Sequence, residues 1–81
     1  MPRKTIKVVE RKLGKEQALG LSYGGKIEID PRQDAKELLS TLIHELLHET
    51  APYLEEGEVI KIERQMVDVV WRQGYRKVSL K

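Results

Sequence analysis

Cysteine is absent from the chain, which at once removes disulfides, thiolate metal sites, iron–sulfur clusters and a cysteine nucleophile. Any metal must therefore be held by histidine and carboxylate. Long apolar runs are missing too, so no segment is expected to cross a membrane. The basic start, Met1-Pro2-Arg3-Lys4, is not followed by an apolar stretch of signal-peptide length, and a cytoplasmic location is the expectation. Charge is not concentrated either. The formal net charge of +2 is spread over residues of both signs, unlike the basic stripe of a nucleic-acid binder. Arg3, Lys4, Lys7, Arg11 and Lys12 near the start, and Arg72, Arg76, Lys77 and Lys81 near the end, read as solvated surface, and nucleic acid is not an expected partner. Repeats, low-complexity tracts and linkers are also lacking.

What is present fits one domain. With 81 residues the chain buries only a modest share of its surface, so a bound metal would add usefully to folding free energy. Thr5 to Arg11 is rich in β-branched residues and reads as a strand. Ala18 to Tyr23 and Lys26 to Asp30 flank Gly24-Gly25, a dipeptide suited to a tight hairpin, with Ile27 and Ile29 on one face. Asp34 to Glu37 has capping-box spacing and opens a helix to about Thr50. Its apolar residues, Leu38, Leu39, Leu42, Ile43, Leu46 and Leu47, form one stripe that is expected to be core.

Ala51-Pro52-Tyr53-Leu54 breaks that helix, and a second follows from about Glu55 to Gln73, with Gly74 as its stop. The tail, Tyr75 to Lys81, reads as a short strand or a frayed end. The expected fold class is α+β: a small antiparallel sheet, made of the N-terminal strand plus the hairpin, packed with two antiparallel helices.

The chain has two histidines, His44 and His48, four residues apart on the first helix, with Glu45 directly after the first. Residues at i and i+4 share a helical face, so both imidazoles can reach one ion. Taking about 100° per residue, the pair falls opposite the leucine stripe, beside Ser40 and Thr41, on a face that can line a cleft. A third ligand must be Asp or Glu, and the candidates are Glu49, Glu55, Glu56, Glu58, Glu63 and Asp68. Glu63 is favoured, because it sits inside the apolar stripe of the second helix, where an ionised carboxylate is costly unless paired or bound to metal. Glu56 lies on nearly the same side two turns earlier. Glu55, Glu56 and Glu58 equally suit a helix's first turn, and Asp68 points away.

His44-Glu45-Leu46-Leu47-His48, preceded by a hairpin strand and followed by a helix bearing a glutamate, resembles the gluzincin clan of zinc metallopeptidases. The segment from Gly25 to Tyr75 is similar to small zincin-like, SprT-like proteins of phage and bacterial genomes. The resemblance implies a minimal zincin-like core in which His44 and His48 ligate zinc and Glu45 is the general base that takes a proton from water. A glutamate on the later helix would be the third ligand, which maps to Glu63. It further implies a protein or peptide substrate, paired along the strand Lys26 to Asp30. The metzincin continuation HxxGxxH is absent. Since 81 residues leave no room for a second subdomain, the alternative expectation is a zinc-stabilised interaction or regulatory module without catalysis.

Overall fold

The computed structural model describes residues 5–77. Strand β1 spans Lys7–Glu10, β2 Gly20–Tyr23 and β3 Lys26–Ile29, and helices α1 and α2 span Ala35–Thr50 and Glu56–Arg72. Together they form the α+β fold read from the sequence. Gly24 and Gly25 both take positive φ, 55° and 80°, which is the backbone a two-residue hairpin turn requires. Asp34 caps α1 as expected, its carboxylate accepting from the Glu37 amide at 2.9 Å while Glu37 accepts from the Asp34 amide at 3.1 Å. A short 3-10 turn, Gly14–Glu16, lies in the charged stretch between β1 and β2.

The sheet departs from the all-antiparallel expectation. Its order is β1-β3-β2, with β3 antiparallel to β2 and parallel to β1. The chain leaves β1, turns back through β2, and the hairpin then inserts β3 between them. Side-chain anchors hold it there. Arg11, just past β1, donates to both carboxylate oxygens of buried Glu28 on β3, at 3.2 and 2.9 Å. Asp30, also buried, accepts from the Leu13 amide at 2.9 Å and from Arg32 at 2.6 Å. Of the tail read as a short strand or a frayed end, Tyr75 to Lys77 carry no regular structure, and the remainder lies outside the described residues.

These anchors make the fold acid-sensitive. The hydrogen bonds from Arg11 push the Glu28 carboxyl down from 4.5 to about 2. Those from Arg32 and the Leu13 amide hold Asp30 well below the usual carboxylate range. A depressed carboxylate stabilises the fold above its unfolded value, and that contribution is lost as pH falls through the folded value. Helical signal in circular dichroism is therefore expected to fall between about pH 4.5 and pH 2. Arg11→Ala should move that loss to higher pH.

The core is smaller than the leucine stripe suggests. Leu13, Ile27, Ile29, Val59 and Val67 are buried. None of the six stripe residues of α1 is; all are half-buried. The reason is geometric. Helix α1 packs on β2, β3 and α2, and among the described residues it does not approach β1. A groove of about 520 Å³ is left between Leu38, Leu39 and Leu42 on one side and Val8 and Ile29 on the other. Among the described residues no helix is long and apolar enough to cross a membrane.

Candidate metal centre

Helices α1 and α2 run antiparallel: Ser40 meets Glu63, His44 meets both Glu63 and Glu56, and His48 meets Glu56. Residues 51–55 make the reversal, closed by the Leu54 amide donating to the Ala51 carbonyl at 3.0 Å. Because Glu56 and Glu63 stand two turns apart on one face of α2, about 10.5 Å along its axis, the His44 ring fits between them.

The two nitrogens of that ring have different partners. Nε2 lies 2.7 Å from Glu56 Oε1, and Nδ1 lies 2.6 Å from Glu63 Oε1. His48 Nε2 lies 3.3 Å from the other oxygen of Glu56. One carboxylate thus spans both Nε2 atoms, and ligand atoms of His44, His48 and Glu56 all lie within 4.8 Å of one another. In a tetrahedral site with bonds of about 2.1 Å, ligand atoms sit about 3.4 Å apart, so the group needs only small movements to hold a divalent cation.

Sequence reasoning favoured Glu63 as third ligand and Glu56 as the alternative. The structure closes the cluster with Glu56 and puts Glu63 on the far side of the His44 ring. There Glu63 accepts a hydrogen bond from the Ser40 hydroxyl and is only 15% exposed. Its buried place on the helical wheel was read correctly, but the charge is met by Nδ1 and a hydroxyl. The remaining acids are engaged elsewhere. Glu49 accepts from the Gly25 amide at 2.6 Å, Glu58 accepts from the Glu55 amide at 3.1 Å at the start of α2, and Asp68 pairs with Arg72 on the surface.

Without a cation, His44 is a proton site. Burial lowers its pKa, but the hydrogen bond to Glu63 and the charges of Glu56, Glu63 and Glu45 outweigh that, and the net shift is upward. Protonated His44 thus stabilises the metal-free fold below the ordinary histidine range, and this contribution fades as pH rises through the raised value. A metal and a proton compete for the same nitrogen.

Glu45 faces β2. It lines a cleft of about 260 Å³ with His44, Ser40, Thr41, Glu63, Leu19 and Gly20. Strand and helix approach so closely that a Cβ on Gly20 would lie 2.5 Å from Thr41 Cγ2 and 3.1 Å from Glu45 Cγ. Gln33 fixes the approach: its amide donates to the Leu19 and Asp30 carbonyls at 3.2 and 2.8 Å and accepts from Thr41 at 2.7 Å. Sequence reasoning did not find Gln33, since its partners are eight or more residues from it or on the backbone. It did place Ser40 and Thr41 on the cleft face, and Ser40, four residues before His44, could have been paired with the histidine by spacing. Tyr23, Tyr53 and Tyr75 are exposed and do not line this cleft.

The expectation that Lys26 to Asp30 is the substrate edge is overturned, because β3 is the central strand and is paired on both sides. The edge beside Glu45 is β2. The Asp30 amide donates to the Leu19 carbonyl, so by alternation the N–H and C=O groups of Gly20 and Ser22 point away from β3.

No protein-family model, curated protein or solved structure matches the chain.

Proposed function

We propose that the chain is a minimal zincin-like metallopeptidase, with zinc held by His44, His48 and Glu56 and with Glu45 as general base. The observation that carries this reading is the division of the His44 ring between two glutamates. A carboxylate on Nδ1 keeps the proton on that nitrogen and leaves the Nε2 lone pair for a metal, the arrangement by which outer carboxylates orient histidine ligands. Two imidazoles and one carboxylate, with no thiolate in the chain, favour zinc with one position open.

When bound, the cation supplies Lewis acidity, acidifying water and polarising a carbonyl. Glu45 accepts the proton that water loses on attack and returns it to the leaving nitrogen. Glu63, held by Ser40, keeps the His44 ring in place and balances its charge. A peptide in extended form pairs with the outward groups of Gly20 and Ser22 on β2, which brings a carbonyl toward Glu45.

Glu45→Gln separates metal binding from chemistry. The variant is expected to keep its metal and its fold while hydrolysis of an unfolded protein substrate falls by at least about 10²-fold, the usual scale of a lost general base. Equal hydrolysis by both proteins would rule out the assignment. If the metal-loaded native chain cleaves neither unfolded nor flexible substrates, the zinc-stabilised interaction module takes its place.

A further inference from the structure

Past Gly74 the chain folds back over its own end. The Tyr75 amide donates to the Val70 carbonyl at 3.2 Å, and the Arg76 guanidinium lies 3.9 Å over the ring of Trp71. Lys77 then pairs with Glu10, the last residue of β1. These contacts lead the chain from the end of α2 to a strand against which, among the described residues, neither helix packs. That strand has an unused edge. Strand β1 gives one side to β3 and leaves the other open among the described residues. The Lys7 and Arg11 amides donate to the Gly25 and Ile29 carbonyls, both at 3.0 Å, so by alternation Val8 and Glu10 turn their N–H and C=O groups outward. Beside this edge runs the apolar groove of about 520 Å³, with Val8, Leu38, Leu39 and Leu42 in its walls. Tyr75, Arg76 and Lys77 line it as well.

We propose that groove and edge are filled by the residues that follow, Val78-Ser79-Leu80, running antiparallel along β1 from Glu10 back toward Lys7. Position favours this occupant, because the pair of Lys77 with Glu10 already brings the chain to the groove. A segment tethered there meets the groove at an effective concentration on the order of millimolar, so it prevails over a free partner of equal affinity at lower concentration. Val8 sets the direction. It walls the groove and lies back along the strand from Glu10, and at about 3.3 Å per residue three residues cover about 10 Å, enough to pass it. Composition sets the side. Val78 and Leu80 alternate with Ser79, so in an extended chain both apolar side chains share one face. Arg76 has the same parity, and its guanidinium lies over Trp71 on α2, the side of the sheet on which the groove opens.

The added segment caps the sheet on the β1 side and gives Leu38, Leu39 and Leu42 the apolar cover that β1 alone does not supply. With β1 covered from within, the edge open to an extended partner is β2, beside Glu45. Nothing in this inference depends on the metal.

Nuclear magnetic resonance of the full chain reads the contact directly, at a concentration where sedimentation equilibrium gives the mass of a single copy. Nuclear Overhauser contacts are expected from the Val78 and Leu80 methyls to those of Leu38, Leu39 and Leu42, together with protection of the Val8 and Glu10 amides from exchange. Replacing both apolar residues, Val78→Asp with Leu80→Asp, should lower that protection at least about tenfold, because the two amides then exchange through local opening. The Val67 amide, inside α2, should keep its protection, and metal content should not change. A single-copy native chain without those methyl contacts overturns the proposal, whatever becomes of the variant. Protection of the Val8 amide that arises only where the mass doubles assigns the edge to a second copy and overturns it too. So does protection in the single copy that the two aspartates leave unchanged.

Discussion

Replacing Glu56 with alanine is expected to empty the metal centre, whereas replacing Glu63 with alanine should leave a metal that binds more weakly. Glu56 is the group that touches both Nε2 atoms. Its loss leaves two imidazoles on one helix and nothing from α2 to complete the set. Glu63 touches only Nδ1, and loss of such an outer partner typically weakens binding by about 10–100-fold. Ser40→Ala, one bond further out, should have the smallest effect of the three. Metal content of the purified chain by mass spectrometry, with titration against a chelator of known affinity, reads the series. Thermal unfolding gives a second readout, since a ligand at about a thousand times its dissociation constant adds about 4 kcal/mol to stability. Added zinc should raise Tm in the native chain, less in Glu63→Ala, and not in Glu56→Ala. If Glu63→Ala loses the metal and Glu56→Ala keeps it, the two roles are reversed.

Gly20→Ala is expected to damage both stability and chemistry although it adds one methyl group. The new Cβ would overlap Thr41 Cγ2 at 2.5 Å and press on Glu45 Cγ at 3.1 Å, so strand or helix must move. Overpacking of this kind costs about 1–3 kcal/mol. For a domain of this size each kcal/mol lowers Tm by about 4–8 °C. Hydrolysis should fall further than the folded fraction explains, because the displaced side chain is the proposed general base, while metal content should be nearly kept. Gly57→Ala is the control. It lies in the first turn of α2 with nothing within 4 Å of the added carbon, and it should be neutral or slightly stabilising. A Gly20→Ala protein with native Tm and native activity would show that β2 and α1 are not locked at this point.

The helical spacing of His44, Glu45 and His48, the Asp34 cap and the Gly24-Gly25 turn could all be read from the sequence, because each is fixed by residues within one or two turns of each other. The choice between Glu56 and Glu63 could not be. A helical wheel records direction and not height, and these two residues share a direction. Which one reaches the Nε2 atoms depends on the axial offset of the helices, and residues 51–55 set that offset. The position of β3 was hidden for a related reason. Its parallel pairing with β1 rests on Arg11 with Glu28 and Leu13 with Asp30, contacts seventeen residues apart that leave no periodic trace. The leucine stripe of α1 identified a helix correctly but overstated its burial, because periodicity gives the apolar face and not the width of the sheet beneath it.

All three candidate donor groups fall within residues 44 to 56, so a cation held by them would span a single reversal of the chain. Loop closure over so short a stretch costs little entropy, and a cation can gather these side chains before any strand has paired. An ion placed this way can act as a nucleus for the helical hairpin. A cation that also grips the unfolded chain in part adds less to net stability than its affinity for the finished fold implies.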